Sequence, residues 1–123
     1  MLPIVFNLLA AERIVLDRPS GRCDLHGVFH ALALPLPSRI TFAVYYVLGA
    51  VHAPVDLGIH FDGPDDARLG GGVVKINIHD PLAIVQGSAQ FNVAIERAGT
   101  YRIKLECQGE LLAERPMLVA QPG

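Results

Sequence analysis

The sequence predicts an all-β fold, a single antiparallel β-sandwich of seven to nine strands spanning residues 1–123. Three observations carry that reading. Four stretches alternate apolar and polar residues with a period of two, the pattern of strands with one face in a core and one in water. Gly and Pro clusters punctuate the chain at short intervals, as in sandwiches and barrels. Finally, 51% of the residues are apolar and 18% charged, a balance that favours a folded globular chain over disorder. At 123 residues the chain fits one domain with a core of useful size.

The opening stretch, Ile4 to Leu16, is ambiguous. Leu-Leu-Ala-Ala-Glu-Arg favours helix by propensity, and Ile4, Leu8, Ala11 and Val15 keep helical spacing. The reading taken is a strand. "DRPSGR" breaks the chain before a second strand, "CDLHGVFHAL". "LPLPS" is a stiff connector, because each proline fixes its own φ and biases its predecessor toward extended. "RITFAVYYVLG" follows, with Ile40, Phe42, Val44, Tyr46 and Leu48 on one face and Ala43, Tyr45 and Val47 on the other. A strand apolar on both faces is either covered or presents a contact surface.

Next come three alternating stretches. Val55, Leu57, Ile59 and Phe61 oppose Asp56, His60 and Asp62; Val74, Ile76 and Ile78 oppose Lys75 and Asn77; Phe91, Val93 and Ile95 oppose Gln90, Asn92 and Glu96. "FDGPDDARLGGG" reads as the longest polar loop and "HDPL" as a further turn. In the last stretch Tyr101, Ile103, Leu105 and Cys107 oppose Arg102, Lys104 and Glu106. Gln108-Gly109 suits a two-residue hairpin turn. Pro116 cannot donate to a ladder, so the final strand is expected to lie at a sheet edge or to bulge there, and the broken alternation around Glu114-Arg115-Pro116 supports a bulge. Gly99 and Tyr101 have the form of a tyrosine corner, which points to an immunoglobulin-like sandwich.

The chain also resembles a family of short uncharacterised bacterial proteins, each a single immunoglobulin-like sandwich. The matching features are "VFNLLAAERIVLD", "CDLHGVFHAL" with its central Gly-Val-Phe, and "AGTYRIKLECQGELLAERPMLV". This resemblance implies a fold and carries no catalytic residues. The "HAPVDLGIHFDG" to "LGGG" region departs from it in loop composition.

Candidate sites are few. Asp24, His26 and His30 would share one face of the second strand, but strand residues four apart lie about 13 Å apart, too far to share an ion. His60, Asp62 and the following Gly63-Pro64-Asp65-Asp66 read as turn chemistry, with Asp side chains capping backbone N–H groups. Gly70-Gly71-Gly72 lacks a phosphate-loop ending and reads as a flexible strand lead-in. Ser20, Ser38 and Ser88 lack a nucleophile's context. In an immunoglobulin-like arrangement Cys23 and Cys107 fall at opposite ends of the sandwich, which leaves two free, mostly buried thiols. Ala43, Tyr45 and Val47 are the candidate interface, unless the opening segment covers them.

The functional expectation is a non-catalytic protein-binding or assembly module, acting on a protein partner or as a homodimer. One alternative is a small-ligand or carbohydrate binder using loop 62–72. The other is a small hydrolase or metal enzyme built on His26, His60 or His79. No cofactor is expected. A net charge of −2 without basic runs gives no case for nucleic acid or an anionic membrane. The longest apolar run, Ile40 to Val51, is short of the ~20 residues a membrane helix needs. No basic n-region precedes the apolar start, so a cytoplasmic protein is the default expectation.

Overall fold

A computed structural model describes residues 2–78 and 80–122. Among the described residues there are nine strands: β1 (Ile4–Asp17), β2 (Arg22–Phe29), β3 (Ala31–Ala33), β4 (Ser38–Gly49), β5 (Val55–Asp62), β6 (Arg68–Ile76), β7 (Val85–Ile95), β8 (Gly99–Cys107) and β9 (Glu110–Ala120). They form a four-stranded sheet in the order β2-β1-β4-β7 and a five-stranded sheet in the order β3-β9-β8-β5-β6. All neighbours are antiparallel except β3 and β9, which run parallel. No helix among the described residues is long and apolar enough to cross a membrane.

The period-two pattern becomes the core directly. Leu57, Ile59 and Phe61 on β5, Phe91, Val93 and Ile95 on β7, and Tyr101, Ile103, Leu105 and Cys107 on β8 are all buried in one cluster. Phe42 sits at its centre. Its ring stacks on Phe91 at 5.4 Å and meets Phe61 edge-on at 5.2 Å, while Phe61 stacks on Tyr101 at 5.5 Å. Such pairs add roughly 0.5–1.5 kcal/mol each beyond the apolar area they bury. The cluster therefore ties the two sheets at mid-length.

The opening stretch is a strand. Tertiary pairing with β4 overrides its helical propensity: Ile4 and Val15 are exposed, while Leu8, Ala10 and Ala11 are buried. Only Ile4–Ala11 pairs with β4. Beyond that point β1 and β2 continue as a two-stranded ribbon. Gly27, at φ +68°, faces Glu12 there, and a Cβ at Gly27 would come within 2.8 Å of the Glu12 carboxyl carbon. The ribbon folds back so that its turn reaches β7, where the Gln86 Nε2 donates to the Gly21 carbonyl at 2.7 Å.

Three expectations need correction. "CDLHGVFHAL" is not one strand. It leaves the four-stranded sheet after Phe29, and β3 joins the other sheet, where the Leu118 N–H donates to the His30 carbonyl. Pairing with β9 across the sandwich competes successfully with continuation along β1. The second correction concerns "RLGGG", which belongs to β6 rather than to a loop. Backbone pairing with β5 from Arg68 to Ile76 orders it, and the strand ends before Ile78. Third, the β8–β9 irregularity falls at Leu105/Glu106 opposite Leu111 and Ala113, not at Glu114–Pro116. β9 lies between β3 and β8 and is an edge only where the short β3 does not reach, and Pro116, in register with Arg102, falls in that part. Its missing N–H therefore costs no ladder bond.

The hairpin turn has Gln108 at φ 55° and Gly109 at φ 75°, both left-handed, as a type I′ connection requires. At the other end of β8 the Tyr101 hydroxyl donates to the Arg97 carbonyl at 2.7 Å.

Candidate functional site

The outer face of the four-stranded sheet holds the sequence-derived interface. There Tyr45 is only 9% exposed, and Ala43 and Val47 are half-buried. Tyr45 and Ala11 are buried yet stand outside the core between the sheets. The folded-back ribbon accounts for their cover. Its Ile14, Leu16, Cys23 and Leu25 are half-buried, and burial raises the Tyr45 phenol, with Cys23 close enough to add to the shift. The Tyr45 hydroxyl donates to Gln86 Oε1 at 2.8 Å, and Gln86 in turn holds Gly21. One side chain thus bolts the ribbon over the aromatic. The opening segment is the cover that sequence reasoning left open, and the patch is not exposed.

On the opposite face of the molecule, β5, β6 and β8 build an ionic cluster. Asp62 is 3% exposed, and its carboxylate accepts from Arg68 Nε at 3.0 Å and Lys104 Nζ at 2.9 Å. Burial alone would raise the Asp62 carboxyl, but the hydrogen bonds and charges of Arg68 and Lys104 outweigh it and hold the carboxyl low. Arg68 also reaches Glu106 at 3.5 Å, and Glu106 lies 3.5 Å from His60 Nε2. The His60 ring lies against two glycines. A Cβ at Gly58 would stand 2.7 Å from Nε2, and one at Gly71 would collide with Nδ1, an atom buried without a partner among the described residues. Close approach of a ring to backbone is the physical role of Gly71, where sequence reading expected a flexible lead-in. Asp65, unlike Asp62, does act as a turn cap, on the Ala67 N–H.

A third region lies on the β6–β7 side, where each sheet ends in an edge strand. The connection between those strands carries Ile78, Leu82 and Ile84, exposed to 43%, 90% and 63%, and Val73 on β6 is 65% exposed. Behind them runs a groove of about 640 Å³, walled by the ribbon (Leu16, Arg18), the end of β6 (Lys75, Ile76) and the start of β7. Tyr46 lies against Gly87 and lines the groove. Burial raises its phenol, and the nearby Arg18 charge pulls the other way. Nothing in the linear pattern marked this place, because its walls come from segments some 60 residues apart.

The loop-end cleft around residues 63–67 is about 440 Å³. Its two arginines are engaged: Arg39 donates to the Asn92 amide oxygen at 2.8 Å, and Arg97 pairs with Asp65 at 3.3 Å. Gly99, at φ +150°, packs on Pro64 beside it, where a Cβ would approach to 2.8 Å. Asp24, His26 and His30 are exposed, and His30 falls between strands, so the three do not share a strand face. Among the described residues no three His, Cys, Asp or Glu side chains gather as a metal requires. His79 lies outside the described residues. Cys23 and Cys107 are unpaired, and burial raises both thiols, which disfavours the nucleophilic thiolate. No protein-family profile matches the chain, and no curated protein matches it.

Proposed function

We propose that this chain is a non-catalytic binding module of immunoglobulin-like arrangement that holds a protein partner at its β6–β7 side. The strand order supports the arrangement: besides the short excursion of β3, the chain crosses between sheets from β4 to β5, from β6 to β7 and from β7 to β8, in Greek-key fashion. The observation that carries the binding reading is the run of exposed apolar side chains. Val73, Ile78, Leu82 and Ile84 sit within twelve residues of sequence, and Ile78 and Ile84 line the groove. Exposed apolar groups gathered around a concave, partly polar surface are a recurring mark of partner contact. The Tyr45 face, covered by its own ribbon, is replaced by this one in the reading. The raised thiols and the mutually satisfied charges elsewhere favour binding over catalysis.

Affinity capture from native cells tests the proposal. A partner recovered with the wild-type chain should be lost with the exposed-site double variant Leu82→Asp/Ile84→Asp, at unchanged thermal stability. Equal recovery by both proteins would defeat the reading.

A further inference from the structure

We infer that the occupant of the β6–β7 groove is an extended protein segment carrying carboxylates beside apolar side chains. The inference rests on the binding reading of the same groove and adds the chemistry of what enters it. Three features on its walls argue for this chemistry.

The first is charge. Arg18 stands on the ribbon wall and Lys75 on the β6 wall, and among the described residues no acidic side chain lines the groove. Neither cation belongs to an ion pair among the described residues. Asp56 faces Lys75 in register on β5 without pairing with it. In the ionic cluster and the loop-end cleft, by contrast, the arginines are engaged with acids or an amide. A chain of net charge −2 that gathers two cations, unpaired among the described residues, around a partly polar hollow presents a surface complementary to carboxylates.

The second feature is backbone. β7 pairs with β4 on one side alone, so its other edge is open. The ribbon turn reaches β7 through the Gln86 side chain and not through the β7 backbone. An extended segment can therefore add its own N–H and C=O groups to that edge, the usual mode of strand addition. The third is the apolar lining. Ile78 and Ile84, with the half-buried Leu16, take alternate apolar side chains, and the carboxylates in between meet Arg18 and Lys75.

Fluorescence anisotropy with three dye-labelled ten-residue peptides tests the inference on the whole chain. One peptide alternates Glu with Val, one Lys with Val and one Gln with Val. The Glu–Val peptide should bind at least about tenfold tighter than the Lys–Val peptide, and the preference should shrink as salt rises from about 20 to about 500 mM. Arg18→Ala and Lys75→Ala, both at exposed positions, should each weaken it roughly two- to fivefold and leave thermal stability unchanged. Equal binding of all three peptides, abolished by Leu82→Asp/Ile84→Asp, would overturn the carboxylate inference and leave the groove as a binding site. Binding of none of them would overturn the inference, and if partner capture also proved indifferent to Leu82→Asp/Ile84→Asp, the binding reading would fall as well. A concentration-dependent dimer of the chain alone, lost in the same double variant, would replace the acidic segment with a second copy as occupant.

Discussion

The two outward faces of the sandwich solve the same problem by opposite means. Each sheet must do something with the side that does not meet the core. On the four-stranded sheet that side is apolar, with Ala43, Tyr45 and Val47, and the chain covers it with the β1–β2 ribbon. On the five-stranded sheet it is charged, with Asp62, Lys104, Arg68 and Glu106 paired across three strands. One face is closed by burial and the other by ion pairing. The difference indicates where the molecule stays open: at the side where both sheets end in free edges and neither device operates.

Substitutions can break each closure separately. The largest effect is expected from Asp62→Ala, which strands Lys104 and Arg68 beside a buried vacancy. Loss of a buried partner costs several kcal/mol when both groups are enclosed, and the partial exposure of the two cations reduces this to about 2–3 kcal/mol. Urea denaturation at neutral pH would measure it. The same carboxylate predicts an acid response. Its folded pKa lies below its unfolded value of about 3.9, so its stabilisation is complete well above pH 4 and disappears as pH falls toward the folded pKa. Urea midpoints of wild type and Asp62→Asn should therefore converge between about pH 5 and pH 2, and parallel curves would contradict the pairing.

A somewhat smaller effect is expected at Gly71. Gly71→Ala places a methyl group against the His60 ring and should cost about 1–2 kcal/mol. In a His60→Ala background the part of that cost due to the ring should vanish, while the Ile59 carbonyl, 3.0 Å from the same Cβ, keeps the rest, a coupling that a double-mutant cycle reads directly. The smallest effect belongs to the covered face. Gln86→Ala removes the link between Tyr45 and Gly21 and should cost about 1 kcal/mol, with faster hydrogen exchange in Arg22–Gly27 than in β8. Unchanged protection of the ribbon would show that the bolt is not what keeps it down.

Alternation made much of this fold legible. The inward sets of β5, β7 and β8 could be read residue by residue, because a pleated strand with one wet face imposes period two on its own sequence. The polar faces were legible in the same way, so His60, Asp62, Lys104 and Glu106 could each be assigned to water-facing positions. Their convergence could not. It depends on register between β5, β6 and β8, strands more than 30 residues apart in part, and a shift of one residue would separate Asp62 from Lys104. Gly70–Gly72 was misread for a related reason. A glycine run gives no local sign of the neighbouring-strand ring it must accommodate.

By itself the sequence determined the layers: which side chains are apolar, how often they recur, and where turns must interrupt them, since these follow from local sterics and from the cost of leaving apolar surface in water. Tertiary structure alone decided the partners. It sent β3 to the opposite sheet, folded the ribbon over Tyr45, and set Arg18 and Lys75 on facing walls of one groove. Such choices weigh contacts between distant segments against one another, and no window of neighbouring residues contains both sides of that balance.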